Sequence, residues 1–369
     1  MIDVRQHGRL LLALLAPALV MFGCALVEEQ EPVPPVPVAA PAPVPGAGCS
    51  SSFADVSKPL CDGTYTQSVT PSTFPAGSLI SAQNPGMVTF TGSFRPGENL
   101  TFRGIVVRNS GEKQLASNGT YEDMSFVGGP PCGNTVNTMA ANGVKNVIVR
   151  RSAFYGKGGR YLLLVYQSSG VKVEDSVFRP DGGWNEDCSG KVEPNAGLAF
   201  YNSNDVSCAG CVLIDGLKPP GSEHLGGLGV NCHVSARNAV FDRSVIVNSP
   251  RGFFAEGNGT CDSVKIKSSV AAGGDYASNR NVSGETAIVG STLIGNCGGW
   301  KGSTTLTGSR VTGSVSGCSG SKVGAGAELR LNTRFLDDPR WRRELCATES
   351  RGFCSTKGTL SGYLMLHIH

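Results

Sequence analysis

Two stretches of this chain carry the residue types that do acid–base chemistry on a polymer. The first, Arg179 to Glu193, holds Asp181, Trp184, Glu186, Asp187 and Glu193. The second, Leu217 to Leu225, holds Glu223 and His224. Two carboxylates across a glycosidic bond hydrolyse it, about 5.5 Å apart in retaining enzymes and about 6.5–9.5 Å apart in inverting ones. Glu186 or Asp187 with Glu223 is the pair available for that work. Around them come the rings of Tyr155, Tyr161, Trp184 and Tyr276 and the cations Lys157, Arg160 and Arg251. Rings stack on sugar faces, and polar groups bind hydroxyls or move protons. The expected ligand-binding set is Tyr155, Arg160, Tyr161, Trp184 and His224, with polysaccharide as the partner. Each residue also has a structural reading. Asp181-Gly-Gly is a turn sequence, Glu186-Asp187 keeps a long loop soluble, Arg251 pairs with a carboxylate, and Trp184 packs its loop down.

What must bring these stretches together is a repeat. Apolar, any, apolar, any, any, Ser or Cys, any, apolar recurs seven times from Val147 to Val311, with Thr in the first place of the last two copies. The copies begin at Val147, Val171, Val206, Ala239, Val264, Thr286 and Thr304. Apolar residues two apart face the same way on a strand, and the small Ser or Cys turns the chain. A second strand precedes four copies, at Leu162–Leu164, Leu198–Phe200, Leu228–Val230 and Phe253–Ala255. Units of roughly 20–25 residues that cannot bury an apolar face alone stack into a solenoid. The two stretches above follow Phe178 and Leu213, equivalent positions in consecutive units, so they should rise side by side. Asn202, Asn204, Asp205, Asn238 and Asn258 fall at corners, where left-handed backbone is tolerated. Upstream, Leu100–Phe102 and Ile105–Val107 read as first strands, and Val88-Phe90-Ser93 as an early copy of the repeat.

Composition agrees. Fifty glycines and only 7% aromatic residues suit a thin core crossed by many turns. A net charge of +3, without a basic cluster interleaved with aromatics, excludes nucleic acid as a partner. Of 13 cysteines, Cys24 stands apart in the N-terminal segment, and the even remainder fits an oxidising compartment. Cys208-Ala-Gly-Cys211 lacks the second pair that a zinc site needs, so both residues read as core or disulfide.

Residues 1–23 read as an export signal, with Arg5 and Arg9 ahead of the uncharged run Leu10–Met21. Met21-Phe22-Gly23-Cys24 resembles a bacterial lipobox, which implies a lipid on Cys24 and a membrane as partner. Cleavage without lipidation and an uncleaved anchor are the alternatives. Residues 24–48 continue as an extended Pro-rich linker, 49–345 form the solenoid with an irregular cap to about 98, and 346–369 are a tail. The expected location is the outer membrane or cell surface, or else the periplasm or medium. His367 and His369 read as a strand end, because two histidines without a third ligand make a poor metal site.

Val171-Lys-Val-Glu-Asp-Ser-Val-Phe178 and its copies resemble the right-handed parallel β-helix proteins of the pectin-lyase-like superfold. Leu329-Arg-Leu-Asn332 and Phe335 to Trp341 resemble the closing segment of many such proteins. The resemblance spans about 100–340 and implies an all-β right-handed parallel β-helix. It also implies a lyase chemistry, in which Arg251 takes the proton α to a uronate carboxylate and calcium on Asp181, Glu186 or Asp187 neutralises an acidic glycan. The superfold's aspartate-rich calcium pattern and its spaced arginine motif are not found in the chain. Fold alone does not select an activity. A polysaccharide lyase or glycoside hydrolase, a noncatalytic adhesin or envelope protein, and a structural spacer therefore all remain open.

Overall fold

The computed structural model describes residues 48–108, 113–128, 137–156, 161–180, 196–214, 228–233, 235–247, 251–256, 261–272, 275–278, 285–294, 303–311 and 319–320. The export signal, Cys24, the Pro-rich linker, most of both long insertions and everything after 320 lie outside these residues. That includes the 329–341 segment, Cys346, Cys354, His367 and His369.

Three long sheets and one two-stranded sheet, Ala236–Arg237 with Cys261–Asp262, wind around one core with every pairing parallel. The first has eleven described strands, from Leu79–Ser81 to Ser319–Gly320, and contains the opening strand of each repeat, such as Lys172–Glu174. The second, also of eleven, runs from Gly63–Tyr65 to Arg310–Val311 and contains the strand after the serine, such as Val177–Pro180. The third has six, Met139–Asn142, Tyr161–Tyr166, Ala196–Tyr201, Leu228–His233, Arg251–Glu256 and Asp275–Ser278. The chain passes from first sheet to second to third and returns one rung further on. Crossovers between right-twisted parallel strands are right-handed, and the fold is a right-handed parallel β-helix.

The serine of the repeat makes a ladder. The backbone N–H of Ser152 donates to Ser176 Oγ at 3.2 Å, Ser244 to Ser269 at 3.0 Å, Ser269 to Ser291 at 3.2 Å and Ser291 to Ser309 at 3.1 Å. Each Oγ in turn donates to the carbonyl two residues earlier, as Ser176 does to Glu174 at 2.8 Å. A hydroxyl thus closes the sharp turn and satisfies a buried donor of the rung before. The residue ahead of the serine sits in left-handed backbone: Arg151 at φ 48°, Asp175 at 43°, Arg243 at 49°, Ser268 at 49°, and glycine at 210, 290 and 308. Where cysteine replaces serine, Cys211 bonds to Cys208 across the turn, as expected for a core or disulfide pair. Cys49–Cys61 and Cys232–Cys261 are also bridged. Of the expected corner residues, Asn202, Asp205 and Asn238 have positive φ, Asn204 instead forms parallel bridges with Ser169 and Arg237, and Asn258 lies outside the described residues.

Val88–Phe90 is no copy of the repeat's opening strand, because it pairs with Ile105–Val107 in the second sheet. The true upstream copies are Leu100-Phe102-Ile105-Val107 and Tyr121-Met124-Phe126, with Ile105 and Met124 in the serine position. In the third sheet the aligned inward rows are Leu163, Leu198 and Val230, then Val165, Phe200 and Cys232, and Phe253 and Ala255 continue them in register. Two of the four expected pairs, Leu162–Leu164 and Leu228–Val230, are therefore displaced along their strands. Strands apolar on both faces leave their register weakly marked.

Candidate functional site

The roots of the two insertions are neighbours. Phe178 pairs with Leu213 in the second sheet, so the stretches 181–195 and 215–227 leave from adjacent strands. They return at Ala196 and Leu228, which pair in the third sheet. The corresponding connections of adjoining rungs, at 157–160, 248–250 and 273–274, run between the same two sheets. The sheet pairing thus lines up the described strand ends that flank these five connections. Arg251 opens its strand there, in register with Leu228 and Asp275. Asp181, Trp184, Glu186, Asp187, Glu193, Glu223, His224, Lys157 and Arg160 lie outside the described residues.

The two described tyrosines of the expected set are buried. Tyr155, in register with Val127 and Arg179 on the second sheet, is 6% exposed, and Tyr161 is 2% exposed. Tyr161 shares a hydrogen bond between hydroxyls with Tyr201, with ring centroids 5.7 Å apart. Arg179 is buried beside Tyr155, where its stem can pack although its head is charged. Close to them, Lys113 is fully buried and donates from Nζ to the carbonyl of Gly128 at 3.3 Å. Burial disfavours its ammonium and pushes its pKa down to about 8.

A row of residues not singled out from the sequence runs along the third sheet. Asn142 pairs with Tyr166, Tyr166 with Tyr201, Tyr201 with His233, and His233 with Glu256. These positions alternate with the inward row Ala141, Val165, Phe200 and Cys232. Tyr166 and Tyr201 are half-buried, with centroids 6.4 Å apart and planes tilted by 58°, and Asn142 is exposed. The signal was present in sequence. Val165-Tyr-Gln-Ser168 and Phe200-Tyr-Asn-Ser203 place a tyrosine before the same polar corner. That corner has its own serine ladder, in which Val144 N–H donates to Ser168 Oγ at 3.0 Å and Ser168 N–H to Ser203 Oγ at 3.2 Å. The ladder fixes the strand end, and so the direction of the tyrosine just ahead of it. Rings and an amide repeated at the strand spacing of about 4.8 Å offer stacking and hydrogen bonds along the coil axis.

Among the described residues no three His, Cys, Asp or Glu side chains gather as a metal site. The calcium ligands expected from sequence, Asp181, Glu186 and Asp187, lie outside those residues.

No protein-family model matches the chain, and no curated protein matches it. Solved structures with a similar course include the pectate lyase Pel9A, at 13% identity over 74% of this chain and 69% of that one, with a TM-score of 0.39. A rhamnogalacturonan lyase is similar at 12% identity over 74% of this chain and 81% of that one, also with a TM-score of 0.39. The A-module of the Azotobacter vinelandii mannuronan C-5 epimerase AlgE6 is similar at 10% identity over 74% and 88%, with a TM-score of 0.32. Likeness this loose is no guide to activity. The strand pairing itself defines the chain as a right-handed parallel β-helix.

Proposed function

We propose that this chain is an exported β-helix lipoprotein, anchored through Cys24, that binds polysaccharide along the outer face of its third sheet. The observation that carries this reading is the row Asn142–Tyr166–Tyr201, lying on the sheet to which both long insertions return. A polymer aligned with the axis would meet one ring or amide per rung, and the insertions would stand along one side of it. The linker from 24 to 48 would hold the coil away from the membrane. Polysaccharide is favoured over a protein ligand because stepped, half-buried rings suit pyranose faces, whereas a protein hot spot is a compact, desolvated cluster.

Cleavage would draw on the two insertions and on Arg251. Glu186, Asp187 and Glu223 are the carboxylates for hydrolysis, and Arg251 is the base for elimination. The deciding experiment exposes the purified protein to a panel of neutral and uronate polymers. Pull-down reads binding, ultraviolet absorbance reads the unsaturated product of elimination, and reducing-end release reads hydrolysis. Binding that weakens in Tyr201→Ala supports the site. Turnover that disappears in Glu186→Gln or Arg251→Ala assigns the chemistry, and binding without turnover leaves a glycan-binding surface protein. Retention of none of the polymers would overturn the proposal.

A further inference from the structure

Beyond Asn142 the row runs into a groove of about 420 Å3 on the first rungs of the coil. Exposed Pro71 and buried Pro96 line it, and its polar groups are Arg95, Glu98, Gln114, Ser117 and Asn142, with Ser117 Oγ already accepting from the Lys145 N–H. The floor includes Leu115 and Val144, both buried in the main core, so its base is set by packing. Parallel bridges tie Val69 to Phe94, Phe94 to Lys113 and Gln114 to Ala140, so the groove crosses four successive rungs. At strand spacing that is about 14 Å along the axis. Gly97 makes the close approach of the chain to Pro71 possible, since a Cβ there would meet the Pro71 carbonyl at 2.5 Å. Gln114 is oriented by a hydrogen bond from Nε2 to the carbonyl of Asn142 at 3.3 Å, which leaves its Oε1 directed elsewhere.

The donor set is mixed. Glu98 accepts, Arg95 donates, and the two amides do both. One cation and one anion on the same short segment give the groove no net charge. A carboxylate-bearing sugar would set its charge against Glu98, whereas neutral hydroxyls both donate and accept and fit all four groups. The volume lies within the range of sites that enclose a small ligand, and the exposed ring of Pro71 supplies a flat apolar wall.

We infer that this groove is a saccharide subsite that takes a short stretch of neutral sugars, continuing the track of the third sheet through Asn142. The inference rests on the glycan-binding reading above, but the two separate in the test. An array of neutral and uronate tri- to pentasaccharides is probed with the full-length protein, and the strongest binder is titrated by calorimetry. Neutral oligosaccharides are expected to bind. Gln114→Ala and Glu98→Gln, each checked for an unchanged melting temperature, are expected to weaken that binding at least tenfold. Tyr201→Ala should reduce retention on the polymer, which reads the third-sheet site separately from the groove. Preference for uronate oligosaccharides would overturn the neutral assignment. Indifference to both groove variants would overturn the subsite, and loss of polymer retention in Tyr201→Ala would still leave the third-sheet site standing. Failure of every oligosaccharide and every polymer would remove both.

Discussion

Ser291 shows what the small residue of the repeat does. Its backbone N–H donates to Ser309 Oγ, its Oγ accepts from the N–H of Ser269, and that hydroxyl donates to the carbonyl of Val289 at 3.0 Å. Alanine would keep the turn and strand a buried donor in the neighbouring rung. Ser291→Ala should therefore cost about 1–3 kcal/mol in chemical denaturation, more than the small size change suggests. Lys113 makes a second prediction. Its folded-state pKa of about 8 lies below the unfolded value of 10.5. Between those values the unfolded chain holds more protons, so this group makes stability rise as pH climbs from 8 to 10.5. Lys113→Met should flatten that part of a melting-temperature profile, and an unchanged slope would assign it to other groups.

The first sheet displays its charges in register. Arg103, Glu122, Arg150 and Glu174 occupy one outward row of successive strands. Glu122 is nearly buried, accepts from Arg103 Nε at 2.8 Å and pairs with Arg150. Burial alone would raise its carboxyl pKa, but the hydrogen bonds from Arg150 and Arg103 prevail and hold it below the ordinary value of 4.5. With the folded value below the unfolded one, its contribution is complete at neutral pH and fades as pH falls through the lowered value. Glu122→Gln should cost about 1.5–3 kcal/mol at pH 7, and variant and parent should converge in acid. On the inward face of the second sheet, the rings of Phe126, Phe154 and Phe178 stack at 4.9 and 4.7 Å, close to the spacing of the strands that carry them. Phe154→Ala, which opens the middle of that stack, should lose about 3–5 kcal/mol by denaturant titration. The opening strands of the repeat were legible because both of their inward positions are apolar and two apart. The third sheet was legible only to within one or two residues. Leu162, Leu163, Leu164 and Val165 are all apolar, and composition alone does not say which pair faces the core.

Across the whole molecule, function rests on how rungs stack. Phe178 and Leu213 are 35 residues apart in sequence and adjacent in the second sheet, so two long insertions leave from neighbouring strands. If the tyrosine row holds polymer, Tyr201→Ala should weaken retention roughly tenfold, equivalent to about 1.4 kcal/mol, without altering secondary structure in circular dichroism. If Cys24 carries lipid, Cys24→Ser should move the protein from the membrane to the soluble fraction of fractionated cells. Persistence in the membrane fraction would remove the lipid anchor.

The sequence by itself determined the architecture, the serine and asparagine corners, the structural role of Cys208 and Cys211, and the shared root of the insertions. These follow from local periodicity, which a solenoid repeats in every rung. Only the tertiary structure decided which aromatic residues form a surface. Tyr155 and Tyr161 looked available from their place beside loops, and both are buried. Nothing in the repeat pattern marks Tyr166 and Tyr201, and the winding of the coil aligned them with Asn142 into a row. Burial depends on what a neighbouring rung covers, and that contact is set by the register between strands distant in the chain.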